Sequence, residues 1–138
     1  MALPESIEKL FALSKESLNL GKAAEERAVG VLKESGYKIL FRNYRNKLGE
    51  IDVIALDRDT ICFVEVKSKK SIRFGLPQEA LARVKQRKIL RVALSFLKEN
   101  NLLEKKARFD VVALEFYQDK EKPKLIKGAF QVEESYAF

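Results

Sequence analysis

The chain contains no histidine in its 138 residues. That absence removes every mechanism that depends on an imidazole: histidine-activated nucleophiles, serine–histidine–aspartate relays and zinc sites with histidine ligands. Only one cysteine is present, Cys62, inside the apolar run TICFVEV. No internal disulfide can form, and the thiol reads as a small core residue. No apolar run approaches the ~20 residues needed to cross a bilayer. The first residues, MALPESIEKLFALSKES, mix charge into their apolar positions instead of building a signal-peptide core. These features predict a cytoplasmic protein with no membrane partner. Any catalysis must come from carboxylates and lysine.

What the chain does have is positive charge and enough apolar content for one core. Lys and Arg total 27 against 20 Asp and Glu, for a net charge of +7 and a pI near 9.5. Such a balance favours polyanionic partners, nucleic acid above all, and is equally compatible with a merely soluble basic protein. With 46% hydrophobic residues, the length suits one substantial core. Ile7, Leu10, Phe11 and Leu18 fall at helical spacing after Pro4, so residues 1–20 read as an N-terminal helical extension to a domain over 21–138. A second helix is expected from Lys22 to Ser35, ended by Gly36, and a strand from Tyr37 to Arg45. Two more strands lie between Gly49 and Lys69, around a turn at Asp57, Arg58 and Asp59. A basic loop closes at Pro77. The longest helix then runs from Gln78 to about Asn100, with Leu81, Val84, Ile89, Val92, Ala93, Phe96 and Leu97 inward. Arg108 to Tyr117 is another strand, and Lys124 to Phe130 is either a last strand or an irregular tail. This order predicts an α/β domain with a small mixed sheet flanked by helices, its parallel pair joined by a right-handed crossover.

The anomaly lies in GEIDVIALDRDTICFVEVKSK, where Glu50, Asp52, Glu65 and Lys67 interrupt apolar strands. A two-residue turn at Arg58–Asp59 pairs Asp57 with Thr60, Leu56 with Ile61, Ile54 with Phe63, Asp52 with Glu65 and Glu50 with Lys67. Regular alternation then gathers all four charges on one face and leaves Ile51, Val53, Ala55, Cys62, Val64 and Val66 on the other. Carboxylates about 5 Å apart across such a pair repel by roughly 3 kcal/mol at an effective dielectric near 20. Lys67 offsets part of this, and a bridging divalent cation offsets more. Mg²⁺ suits the oxygen donors, since it needs only one or two carboxylates plus waters and substrate oxygens. The alternative is an ion-pair network among Glu50, Asp52, Glu65, Lys67, Lys47 and Arg45. Glu25 shares a helix face with Ala28, Val29 and Leu32 and so points toward the sheet, while Glu26 points toward water. Phosphate contacts are expected from Lys69, Lys70 and Arg73 in the basic loop, and from Arg83, Lys85, Arg87, Lys88 and Arg91 on the long helix.

Asp52 followed by Glu65-Val66-Lys67 resembles the spaced D…E-x-K arrangement of the PD-(D/E)xK, or restriction-endonuclease-like, nucleases. Further stretches narrow the likeness: Asn43-Tyr44-Arg45, Leu48-Gly49-Glu50-Ile51-Asp52, Phe63-Val64-Glu65-Val66-Lys67, Lys85-Gln86-Arg87 and Arg108-Phe109-Asp110-Val111-Val112. Over about residues 21 to 130 the chain resembles the YraN family of bacterial proteins, which are related to archaeal Holliday-junction resolvases. Ala24 stands where that pattern has a glycine. The resemblance implies a restriction-endonuclease-like sheet carrying Glu25, Asp52, Glu65 and Lys67 as the catalytic set. Glu25, Asp52, Glu65 and the Val66 carbonyl would bind Mg²⁺ or Mn²⁺, with Glu50 as a partner of Lys67 or Arg45. It further implies DNA, branched or junction DNA first, as substrate of an endonuclease, gripped by Arg45, Lys69, Lys70, Arg73, Lys85, Gln86 and Lys88. A homodimer is compatible with a resolvase-like protein. The alternative function is nucleic-acid binding by a nuclease-like site that does not cut.

Overall fold

The computed structural model of the chain describes residues 22–68, 83–117 and 120–129. The expected N-terminal helix, the basic loop with Lys69, Lys70 and Arg73, and the first residues of the expected long helix lie outside the described residues. Helix α1 spans residues 22–34. It is followed by β1 (Lys38–Asn46), β2 (Gly49–Asp57), β3 (Thr60–Ser68), α2 (Arg83–Glu99), β4 (Ala107–Tyr117) and β5 (Lys120–Ile126). The strands form one mixed sheet in the order β1-β2-β3-β4-β5. Only β3 and β4 pair in parallel, as the intervening helix predicts. The last strand begins earlier than Lys124 and ends at Ile126. It accommodates Pro123 because β5 is an edge strand, where a missing N–H breaks no ladder.

Both helices stop where the sequence lets the backbone turn left-handed. At the end of α1, Gly36 has φ +90°, and the Tyr37 N–H donates to the Leu32 carbonyl at 2.9 Å while the Gly36 N–H donates to that of Lys33 at 3.0 Å. Helix α2 repeats the device with Asn101 at φ 55°. Its Leu102 N–H reaches the Leu97 carbonyl at 2.7 Å. In each case the residue past the turn packs beside the one whose carbonyl it caps.

Two apolar layers hold the sheet. On one face Ala28, Val29 and Leu32 of α1 meet Val53, Ala55, Cys62, Val64, Val112 and Leu114. This is the stripe that the spacing of α1 predicts. On the other face Ile89, Val92, Ala93, Phe96 and Leu97 of α2 meet Ile51, Ile54, Ile61, Phe63 and Val111. Phe96 is the centre of that layer, with edge-on ring contacts to Phe41, Tyr44 and Phe63 at 5.5, 5.3 and 5.9 Å. Burying a side chain of this kind contributes roughly 1.5–3 kcal/mol.

The β2–β3 hairpin keeps the predicted register through five pairs, from Asp57↔Thr60 to Val53↔Val64. Arg58 takes φ 59° in its two-residue turn. Regular alternation fails in β1 at a bulge between Ile39 and Phe41, and in β1 and β2 together at a second level. Phe41 and Tyr44, three residues apart, both touch Phe96, and Ile51 and Ile54, also three apart, share the α2-side core. Between them stand Asn43, at φ 53°, and Asp52, flanked by the pairs Arg42↔Val53 and Tyr44↔Ile51. Asn accepts the left-handed region more easily than most residues. Both strands therefore reset their facing at the same level. Ile51 lies on the α2 side, not with Val53 and Ala55 as strict alternation predicts.

Candidate functional site

That reset corrects the expected single face of charge. Ile61 and Phe63 belong to the α2-side layer, so alternation carries Glu65 and Lys67 to the same side. Ile51 is also on the α2 side, so its neighbour Glu50 turns to the α1 side. There it meets Arg45, its cross-strand partner, with Nε–Oε2 at 3.2 Å. Of the two partners expected for Glu50, the structure thus supplies Arg45. The pairings Asp52↔Glu65 and Glu50↔Lys67 do not form, because the β2–β3 register ends at Val53↔Val64.

The Asp52 carboxylate takes over where the ladder stops. Its Oδ2 accepts the Val66 N–H at 2.8 Å. In an antiparallel ladder continued from Val53↔Val64, that N–H would donate to Ile51, and the Val66 carbonyl would accept in return. The side chain has replaced the strand as acceptor of that N–H, and the β2–β3 pairing ends at Val53↔Val64. Asp52, which is half-buried, is thereby fixed beside the segment Glu65-Val66-Lys67. Glu65 is only 5% exposed, and Lys67 is half-buried. Two carboxylates, a carbonyl and an ammonium group thus gather at the open end of the hairpin. All the anionic and neutral donors are oxygens, the set preferred by Mg²⁺ and Mn²⁺. A carboxylate oriented by a backbone N–H is also the usual condition of a metal ligand.

Glu25 is half-buried on the stripe of α1 that faces the sheet. It is therefore on the face opposite Glu65. Among the described residues no three Asp, Glu or Cys side chains come together to hold a metal. Glu26 faces solvent as predicted and pairs with Arg42.

Helix α2 brings the basic residues to the open end. Asn46 Nδ2 donates to Ser95 Oγ at 3.3 Å, and further along Tyr44 meets Phe96 and Glu99. From Ser95 onward the helix therefore runs away from the open end of β2. The preceding turns, Arg83–Arg91, project toward that end over roughly 13 Å at 1.5 Å per residue. Arg87, Lys88 and Arg91 are exposed there, and Gln86 is half-buried. Lys85 belongs to the same stretch of helix. Arg45 is exposed.

A second polar cluster, unread in the sequence, is centred on Asp110, which pairs with Val64 in the middle of the sheet, and extends to Asp57 at the hairpin's turn end. Asp110, with no exposed surface, accepts from Tyr37 Oη at 2.7 Å, from Arg108 Nε and Nη2 at 2.8 and 3.0 Å, and from the Gly128 N–H at 2.9 Å. Arg108 Nη2 also reaches Asp57 at 2.8 Å, which Lys127 joins at 3.1 Å. Burial pushes the Asp110 carboxyl up, but Arg108, the Gly128 N–H and Tyr37 outweigh it and hold it below its ordinary value. Arg108, then Lys127, lower Asp57. Burial, then Asp110, push the Cys62 thiol up to about 12. This cluster is a charge-balanced network with every buried side-chain polar atom partnered among the described residues, and it serves the fold. Asp110, a charge inside the apolar strand RFDVVAL, was detectable by the same anomaly that marks Asp52.

Comparison with known proteins bears on the whole of this region. A family model described as "Uncharacterised protein family UPF0102" matches residues 24–114. A UPF0102 protein of Syntrophus aciditrophicus (strain SB) is 46% identical over 117 residues, covering 85% of this chain and 92% of that one. One from Caldicellulosiruptor saccharolyticus is 47% identical over 115 residues, covering 80% and 96%. Another, from Syntrophotalea carbinolica, is 42% identical over 118 residues, covering 86% and 96%.

Proposed function

The chain belongs to the uncharacterised protein family UPF0102, and we propose that it is a metal-dependent endonuclease of the restriction-endonuclease-like kind, hydrolysing phosphodiester bonds of DNA. The observation that carries this reading is the 2.8 Å bond from the Val66 N–H to Asp52 Oδ2. It draws Asp52 to Glu65, Val66 and Lys67 at the end of the sheet toward which the basic turns of α2 project. In this reading Asp52, Glu65 and the Val66 carbonyl would hold Mg²⁺ or Mn²⁺, and Glu25, on the opposite face of the sheet, does not join them. The ion's contribution, when bound, is to polarise the scissile phosphate and lower the pKa of a water. Lys67 orients the attacking water and stabilises charge that develops on the phosphoryl oxygens. Arg87, Lys88 and Arg91 grip phosphates without reading bases, joined by Lys85, Gln86 and Arg45 and by Lys69, Lys70 and Arg73 of the basic loop. Preference for branched DNA follows from the likeness to junction resolvases.

A second reading is favoured by one observation. Among the described residues no third acidic side chain joins Asp52 and Glu65, as suits a nucleic-acid-binding protein whose nuclease-like site does not cut. The test is cleavage of single-stranded, duplex and four-way-junction DNA in Mg²⁺ or Mn²⁺. Wild type should cut at least one of these, and Asp52→Asn and Lys67→Ala should lose about 100-fold or more in rate. Cleavage that survives both substitutions sinks the assignment. Salt-sensitive binding without any cleavage selects the second reading.

A further inference from the structure

The β1–β2 hairpin ends in the two residues Lys47 and Leu48, between Asn46 and Gly49. Leu48 is 48% exposed, in a turn that is held unusually firmly for one that presents an apolar tip. Asn46 Oδ1 accepts the Leu48 N–H at 2.8 Å, and the same amide's Nδ2 donates to Ser95 of α2. Gly49, at φ +149°, lies so close to α2 that a Cβ built on it would be 3.2 Å from Val92 Cγ2. The tip is therefore pinned to the helix on both sides of Leu48.

Its surroundings are cationic. Lys47 is exposed beside Leu48. Ser95 touches Asn46, so the residues one and two turns before it on the same helical stripe, Arg91 and Lys88, flank the hairpin. Both are exposed. The acid nearest in the strand pair, Glu50, is occupied by Arg45. A lone exposed leucine would need no explanation. A leucine fixed on a rigid tip among three cations, at the end of the sheet that holds Asp52 and Glu65, has the chemistry of a wedge: cations engage phosphates on either side while the apolar group enters a gap between bases.

We infer that Leu48 is such a wedge, and that it directs the protein to DNA whose base stacking is already interrupted, at forks, junctions or ends, in preference to continuous duplex. The inference rests on the nucleic-acid reading above and names its substrate class. Entry into an intact stack costs unstacking energy that an interrupted stack has already lost. The preference therefore belongs to Leu48, while the cations act on all forms alike.

The test uses the full chain in EDTA, so that cutting does not intervene, with a forked DNA carrying 2-aminopurine at the branch point and a continuous duplex of the same sequence. Wild type should raise the 2-aminopurine fluorescence and bind the fork about tenfold tighter than the duplex. Leu48→Ser should abolish the rise and bring the two affinities within about twofold, leaving duplex binding nearly unchanged. Leu48→Phe should keep both signals, and Leu48→Ser should retain its far-ultraviolet circular dichroism. A Leu48→Ser protein that keeps the rise and the preference overturns the wedge, as does a wild type that shows neither. If forks are bound and unstacked through Leu48 but no DNA is cut in Mg²⁺ or Mn²⁺, the nuclease reading fails and the wedge stands. If DNA is cut with no dependence on Leu48, the wedge alone fails.

Discussion

Replacing Asp110 with alanine tests the packing account on the α1 side of the sheet, the face opposite Glu65. The substitution deletes an acceptor, with no exposed surface, that serves Tyr37, Arg108 twice and the Gly128 N–H. Breaking a buried ion pair by removing one partner costs about 3–5 kcal/mol. Arg108 keeps its contact with Asp57 at 2.8 Å, which places the expected loss near the lower end, at ~3 kcal/mol. Against a total stability of about 5–15 kcal/mol this is a large fraction. The melting temperature should fall by roughly 10 °C. Tyr37→Phe removes one donor and leaves Asp110 three bonds, so it should cost ~1 kcal/mol. Urea unfolding followed by far-ultraviolet circular dichroism is the assay, since the chain has no tryptophan. The folded Asp110 carboxyl lies below its ordinary value, so its contribution is complete above the unfolded pKa of about 3.9 and is lost as pH falls through the folded value. The gap between wild type and Asp110→Ala should therefore be full at neutral pH and narrow below about pH 4. Asp57, lowered in the same direction by Arg108 and Lys127, titrates in both proteins and to first order cancels. A cost under ~1 kcal/mol at neutral pH, or a gap that does not narrow in acid, would refute the reasoning.

Two further outcomes follow from local structure. The Cys62 thiol, pushed up to about 12 by burial and Asp110, should react with iodoacetamide at pH 8 at least ~100-fold more slowly in the folded protein than in urea, and equal rates would contradict its placement. Arg58 holds φ 59° in its hairpin turn, so Arg58→Gly should raise stability by roughly 0.5–1 kcal/mol in urea unfolding. A loss of stability would show that the Arg58 side chain matters more than its backbone.

Much of the scaffold was legible in the sequence because its signals are local. The stripe Ala28, Val29, Leu32 and that of Ile89, Val92, Ala93, Phe96 and Leu97 face the sheet as their spacing predicts. The hairpin register follows from a two-residue turn at Arg58–Asp59. The facing of Ile51 and Glu50 was not legible, since it depends on a left-handed Asn43 that alternation cannot anticipate. A clue was present in the three-residue spacings Phe41 to Tyr44 and Ile51 to Ile54, each spanning a polar residue at the reset. Asp52 was singled out for its charge, yet its main structural act is to end the ladder by taking the Val66 N–H. Geometry of that kind arises between strands and leaves no mark in the spacing of either one. Arg108 and Asp110 show what a balanced buried pair looks like in this protein, two residues apart on one strand with Asp57 and Lys127 closing the circuit.

The central claim, that the open end of the hairpin is a divalent-cation site, is tested most directly by titrating Mn²⁺ into the protein without nucleic acid and counting bound ion by electron paramagnetic resonance. The account predicts one or two ions bound by wild type, and affinity weakened by about tenfold or more in both Asp52→Asn and Glu65→Gln. Wild type that binds no Mn²⁺ at millimolar concentration, or variants that bind it as wild type does, would contradict it.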